Sequence, residues 1–123
     1  SIRSGAAEVI VTGGTEAAGE LRVQAERRFA TPVEERVIRG CVDRLVLLEQ
    51  AGVTVAADIV DFKTDAFDRL SPQARKVRLH DYGEQLRLYA RAVSVLYGLP
   101  LDRIGARLVL LGEGRTVPVD VSQ

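Results

Sequence analysis

Val53-Thr54-Val55-Ala56-Ala57-Asp58-Ile59-Val60-Asp61-Phe62-Lys63, preceded by Gly40-Cys41-Val42-Asp43-Arg44-Leu45, is the stretch that decides the fold. The first run carries apolar residues on both faces, Val53, Val55 and Ile59 against Val60 and Phe62, the pattern of an interior strand. Residues two apart on a strand point the same way, so Asp61 and Lys63 emerge side by side. Asp43 lies directly opposite Asp61 when the hairpin is centred on Gly52. Gln50-Ala51-Gly52-Val53-Thr54 is the turn-like stretch there, and it predicts a three- or five-residue loop with glycine in the left-handed region. Like charges directly opposite on a sheet sit roughly 4.5–5.5 Å apart at Cβ and destabilise the pair. Either one acid titrates upward or a cation lies between them. Hard oxygen donors favour magnesium or manganese for that cation. Two acids and a lysine gathered this way meet the needs of metal-dependent phosphodiester hydrolysis.

Working outward, residues 8–11 and 19–29 read as an N-terminal hairpin turned by Thr12-Gly13-Gly14-Thr15, with Pro32 ending its second strand or sitting at an edge. Residues 35–48 pair with the Asp61 strand as the central hairpin. Ser71-Pro72 reads as a helix cap with proline in the first turn, opening a short basic segment through Arg78. A longer helix over 81–97 follows, with Leu86, Tyr89, Ala90, Val93, Leu96 and Tyr97 at helical spacing and Gly98-Leu99-Pro100 as its stop. Residues 103–111 and 115–119 close the chain as a C-terminal hairpin around Gly112-Glu113-Gly114. Strands, then helix, then strands make an α+β domain: a mixed central sheet flanked by helix.

The 123 residues, 46% hydrophobic, fit one domain with one core. Formal net charge is zero, so nucleic-acid contact has to come from a local patch or an attached domain. A single cysteine, Cys41, excludes an internal disulfide, a cysteine-rich zinc site and a four-cysteine iron–sulfur cluster. No apolar run approaches a membrane span of about 20 residues, and no signal-peptide pattern is visible, so a cytoplasmic protein away from membranes is expected. The lead Ser1-Ile2-Arg3-Ser4-Gly5-Ala6-Ala7 and the tail after Val119 read as cut ends, which predicts a domain excised from a longer protein.

Three blocks in order, Gly40-Cys41-Val42-Asp43-Arg44-Leu45, then Asp58-Ile59-Val60-Asp61-Phe62-Lys63-Thr64, then Tyr82-Gly83-Glu84-Gln85-Leu86-Arg87-Leu88-Tyr89, resemble the RecB-type nuclease domain of the PD-(D/E)XK superfamily. Within it they resemble the nuclease domain at the C-terminus of AddA-like, UvrD/Rep-type helicase–nucleases. The resemblance covers roughly residues 26–111. It implies a restriction-endonuclease-like α/β/α fold and a magnesium- or manganese-dependent DNase of the exonuclease type, serving double-strand-break repair and recombination. It implies single-stranded DNA as substrate, ATP used only by a helicase domain in the same chain, and an AddB-like partner protein. Asp43 and Asp61 become metal ligands, with the backbone carbonyl of Phe62 and with Glu26 from the preceding strand. Lys63 becomes the catalytic lysine, and Gln85 and Tyr89 flank the site from the helix. The family also takes a histidine from an N-terminal helix. This chain has no such block, and His80 does not match it, so the fragment is expected to lack a ligand and to be inactive alone. The lack of cysteines argues against the iron–sulfur branch.

Plainer readings stand beside these. Asp-x-Lys on a strand is usually a surface ion pair, Tyr89 a core residue with its hydroxyl at the edge, and Glu26 a solvated acid. His80 reads as a helix-start residue and Cys41 as a small buried apolar one. Arg75, Lys76, Arg78, Arg87 and Arg91 form either a solvated helix face or a phosphate-contacting patch. Two alternatives to the nuclease remain: a catalytically inactive nuclease-fold module for DNA binding or scaffolding in a helicase, and a stand-alone metal hydrolase.

Overall fold

A computed structural model describes residues 6–11 and 15–122, with side chains described from Gly19 onward. Strands β1 (Ala6–Val11), β2 (Thr15–Val33), β3 (Arg36–Gln50) and β4 (Val53–Lys63) precede helix α1 (Pro72–Tyr97), and β5 (Ile104–Leu110) and β6 (Arg115–Pro118) follow it. The six strands form one sheet in sequence order. Every neighbouring pair is antiparallel except β4 and β5, which run parallel because α1 carries the chain back across the sheet. The architecture is α+β with a mixed sheet. Among the described residues α1 is the one α-helix and covers one face; a second helical layer, which the α/β/α expectation calls for, is not among them. Of the expected lead 1–7 and turn 12–15, residues 1–5 and 12–14 lie outside the described residues, whereas Ala6 and Ala7 already belong to β1, paired with Glu20 and Gly19, and Thr15 opens β2 opposite Val11.

β4 is interior as its two apolar faces require, paired to β3 on one side and β5 on the other. Its face toward α1 places Ala57 and Ile59 with Leu45, Leu47, Leu86, Ala90, Val93, Ile104 and Leu108 in the main core. Its opposite face contributes Ala56 to a small cluster with Leu48, Leu21 and Val55. The β3–β4 register has Arg44 opposite Val60 and Leu48 opposite Ala56, the alignment that centring on Gly52 demands. The loop differs from the expectation. Ala51 and Gly52 form a two-residue turn with φ of 51° and 78°, the positive values of a type I′ turn. A bulge at Val55 then supplies the missing residue, since Glu49 faces Thr54 while Leu48 faces Ala56.

The short basic segment and the longer helix are one continuous α1. The Ser71 hydroxyl accepts from the Ala74 N–H, Pro72 occupies the first turn, and Gly98 at φ 64° ends the helix. Leu79 packs on the core with Tyr82 and Leu86 at helical spacing, so the apolar stripe runs through the junction, and no residue there breaks a helix. β2 also runs past residue 29 to Val33, with Pro32 opposite Val37 close to the Glu34-Glu35 turn.

Candidate active site at the end of β4

The site sits where two strands change face together. In β3, Val42 faces the core, and so do Leu45 and Leu47, an interval that strict alternation forbids. Across the ladder, Glu26 has φ of 51°, and pairing is regular on both sides of it, at Ala25 with Arg44 and Arg27 with Val42. Glu26 and Asp43 therefore lie opposite each other at a local break in which both strands reverse their parity. Such irregularities re-aim side chains. Freed from the ladder, Asp43 turns its carboxylate toward β4 and accepts the Phe62 N–H at 2.7 Å.

That turn brings Asp43 and Asp61 into hydrogen-bonding contact. Asp61 is 7% exposed, one of two buried polar residues among those described. Burial pushes the Asp61 carboxyl up to about 6, the Asp43 carboxylate adds to the rise, and Lys63 opposes it. Burial also works to raise Asp43, but its hydrogen bonds with Asp61 and Phe62 and the charge of Lys63 hold it below the usual carboxylate range. Lys63 Nζ lies 2.9 Å from Asp61 Oδ2. The pair thus behaves as crowded like charges must, with one acid holding its proton up to about pH 6.

Tyr89 forms part of the wall. Its ring lies so close to Gly40 that a Cβ there would stand 2.4 Å from Tyr89 Cε1, and it meets Phe29 edge-on with centroids 5.1 Å apart. Burial and the charge of Asp61 push the Tyr89 hydroxyl up, so it shares the electrostatic field of the acids. Gln85, by contrast, is exposed and makes no hydrogen bond among the described residues. Glu26 is exposed too. No group of three or more His, Cys, Asp or Glu side chains suited to a metal gathers among the described residues. The donor set there is the Asp43–Asp61 pair, two close carboxylates of a kind that suits a hard divalent cation.

The helix cations are mostly engaged. Arg75 pairs with Glu113, Arg78 with Asp65, and Arg87 with Glu84 and the Asp120 carbonyl. Lys76 and Arg91 are exposed and make no ion pair among the described residues. His80 is exposed on the helix. Cys41 is exposed rather than buried; with Gly40 under Tyr89 and Val42 in the core, alternation turns it to the open face.

Sequence reasoning missed Tyr82 and Asp65 as members of this cluster. Lys63 Nζ stands 4.2 Å from the centroid of the Tyr82 ring, and the Tyr82 hydroxyl donates to Asp65 Oδ2 at 2.7 Å. Spacing carried the signal: Tyr82 lies three residues before Gln85 and seven before Tyr89, on the same helical face.

The chain is 38% identical over 88 residues to an ATP-dependent helicase/nuclease polypeptide of Streptococcus pyogenes serotype M5 (strain Manfredo). The same identity and length hold for its counterparts from serotype M49 (strain NZ131) and serotype M28 (strain MGAS6180). Its likeness is to part of a helicase/nuclease. The match covers 72% of this chain but only 6% of the length of those relatives. No protein-family model and no solved structure matches. Among the described residues no helix is long and apolar enough to cross a membrane.

Proposed function

We propose that this chain is the metal-dependent DNA nuclease module of an ATP-dependent helicase–nuclease of the RecB type, hydrolysing phosphodiesters during double-strand-break repair. The observation that carries the reading is the Asp43–Asp61 pair with Lys63 2.9 Å from Asp61 Oδ2, Asp43 reaching from β3 to the end of β4. The similarity to the streptococcal helicase/nuclease supports the same class of reaction. Asp43 and Asp61 would hold magnesium or manganese, aided by the Phe62 carbonyl, with Glu26 as a further candidate. The cation supplies Lewis acidity toward the phosphoryl oxygen and toward water. Above about pH 6 both acids are ionised, and the cation would offset their repulsion. Lys63, turned to the same face, stabilises the charge that develops on the phosphate. Tyr89 walls the site on the helix side, and Gln85, exposed one turn earlier, is free to meet the substrate. Lys76 and Arg91 offer unpaired charge to DNA; Arg75, Arg78 and Arg87 reach phosphate only by leaving their acids. Single-stranded DNA, delivered by a helicase domain in the same chain that alone consumes ATP, is the substrate proposed, with an AddB-like protein as partner in the cytoplasm.

In the full-length protein, Lys63→Ala should abolish magnesium-dependent cleavage of single-stranded DNA while ATP-driven unwinding continues. Cleavage at the wild-type rate would sink the mechanism.

A further inference from the structure

Lys63 is held from two sides. Asp61 takes one side at 2.9 Å, and the face of Tyr82 takes the other at 4.2 Å from the ring centroid, inside the range of about 6 Å for cation–π attraction. The ring is itself fixed. Its hydroxyl donates to Asp65 Oδ2 at 2.7 Å, Arg78 Nη1 donates to the same oxygen at 2.6 Å, and Phe67 packs edge-on with centroids 6.3 Å apart. A tyrosine needed only for packing would satisfy its hydroxyl this way, but it would not require an ammonium on its face. Lys63 must share Asp61 with any cation the acid pair binds, and the ring gives the ammonium a second, uncharged seat.

We propose that Tyr82 is the positioning residue for Lys63, its ring clamped by Asp65 and Arg78 so that the ammonium stays at the site whichever partner Asp61 takes. This rests on the hydrolytic reading above, so the test keeps the two separable. Cleavage of single-stranded DNA with magnesium is measured for the full-length wild type, Lys63→Ala, Tyr82→Leu, Tyr82→Phe and Asp65→Asn. In parallel, 13C-lysine spectra of this chain follow Lys63, with exposed Lys76 as the internal reference. Tyr82→Leu should lower kcat on the order of tenfold with KM little changed, and Tyr82→Phe, which keeps the ring but loses the hydroxyl that Asp65 clamps, should fall between it and wild type. Asp65→Asn, which weakens the same clamp from its other side, should lose no more than Tyr82→Phe. The Lys63 ε-signal should lie upfield of Lys76 in wild type and Tyr82→Phe, from the ring current, and move to the Lys76 position in Tyr82→Leu. A Lys63 signal that is not displaced in wild type, or unchanged kcat in both Tyr82→Leu and Asp65→Asn, overturns the proposal. Full turnover by Lys63→Ala instead removes the hydrolytic reading, and the resonance then decides the contact on its own.

Discussion

Asp61 is the residue on which the proposed chemistry turns, and its titration is measurable. Its carboxyl is pushed up to about 6 from an ordinary 3.8. Across that window the folded protein keeps a proton that the unfolded chain has released. The stability Asp61 contributes is therefore complete below about pH 4 and lost as pH rises through 6. Asp43, held low, acts in the opposite sense: the stability it contributes is present above about pH 4 and lost as pH falls below that. Denaturant melts without metal should show wild type losing stability relative to Asp61→Asn between pH 4 and 6; a flat difference would mean that Asp61 ionises normally. The same proton opposes metal, so Mn2+ affinity should climb with pH to about 6 and then level off. Asp43→Asn should weaken Mn2+ binding at every pH, and unchanged affinity in a titration would remove Asp43 from the site. Gly40 has an equally local role. An alanine there would drive its Cβ into the Tyr89 ring, so Gly40→Ala should cost about 1–3 kcal/mol in a chemical melt.

The central hairpin shows what a sequence can and cannot specify about an element. β4 was legible because apolar residues on both faces leave an interior strand as the only economical place for it. The register was legible because glycine at 52 fixes where the chain turns. The turn itself was not, since a three-residue loop and a two-residue loop with a later bulge place Asp61 at the same station. Ala51 now stands at φ 51°, which strains a side chain by about 1 kcal/mol. Ala51→Asn, giving the Asn-Gly sequence that type I′ turns favour, should raise stability by roughly 0.5–1 kcal/mol. A lower thermal midpoint would contradict the turn assignment. The paired reversal at Glu26 and Asp43 was also hidden, because it rests on a left-handed backbone at a residue that is not glycine. Its consequences include the exposure of Cys41. In α1 the cap at Ser71 was readable and the continuity was not, because the opening turns are mostly polar and exposed and Leu79 is a single apolar residue joining them to the core-facing stripe. Ser71→Ala should cost about 1 kcal/mol.

At the scale of the whole molecule, the parallel β4–β5 step sets the site's surroundings. Because α1 carries the chain over one face before β5 returns beside β4, that face of Asp61 and Lys63 is walled by Tyr82 and Tyr89. The blocks at 40–45, 58–64 and 82–89 stand far apart in sequence and meet here, which is why their order carried more than any of them alone. A neutral chain whose helix arginines are mostly ion-paired offers DNA little long-range attraction, consistent with a module to which substrate is delivered. The most direct measurement is magnesium-dependent cleavage of single-stranded DNA by the full-length protein with and without Asp61. The account predicts that Asp61→Ala loses cleavage by several orders of magnitude while ATP-driven unwinding continues; cleavage at the wild-type rate by that variant would contradict it.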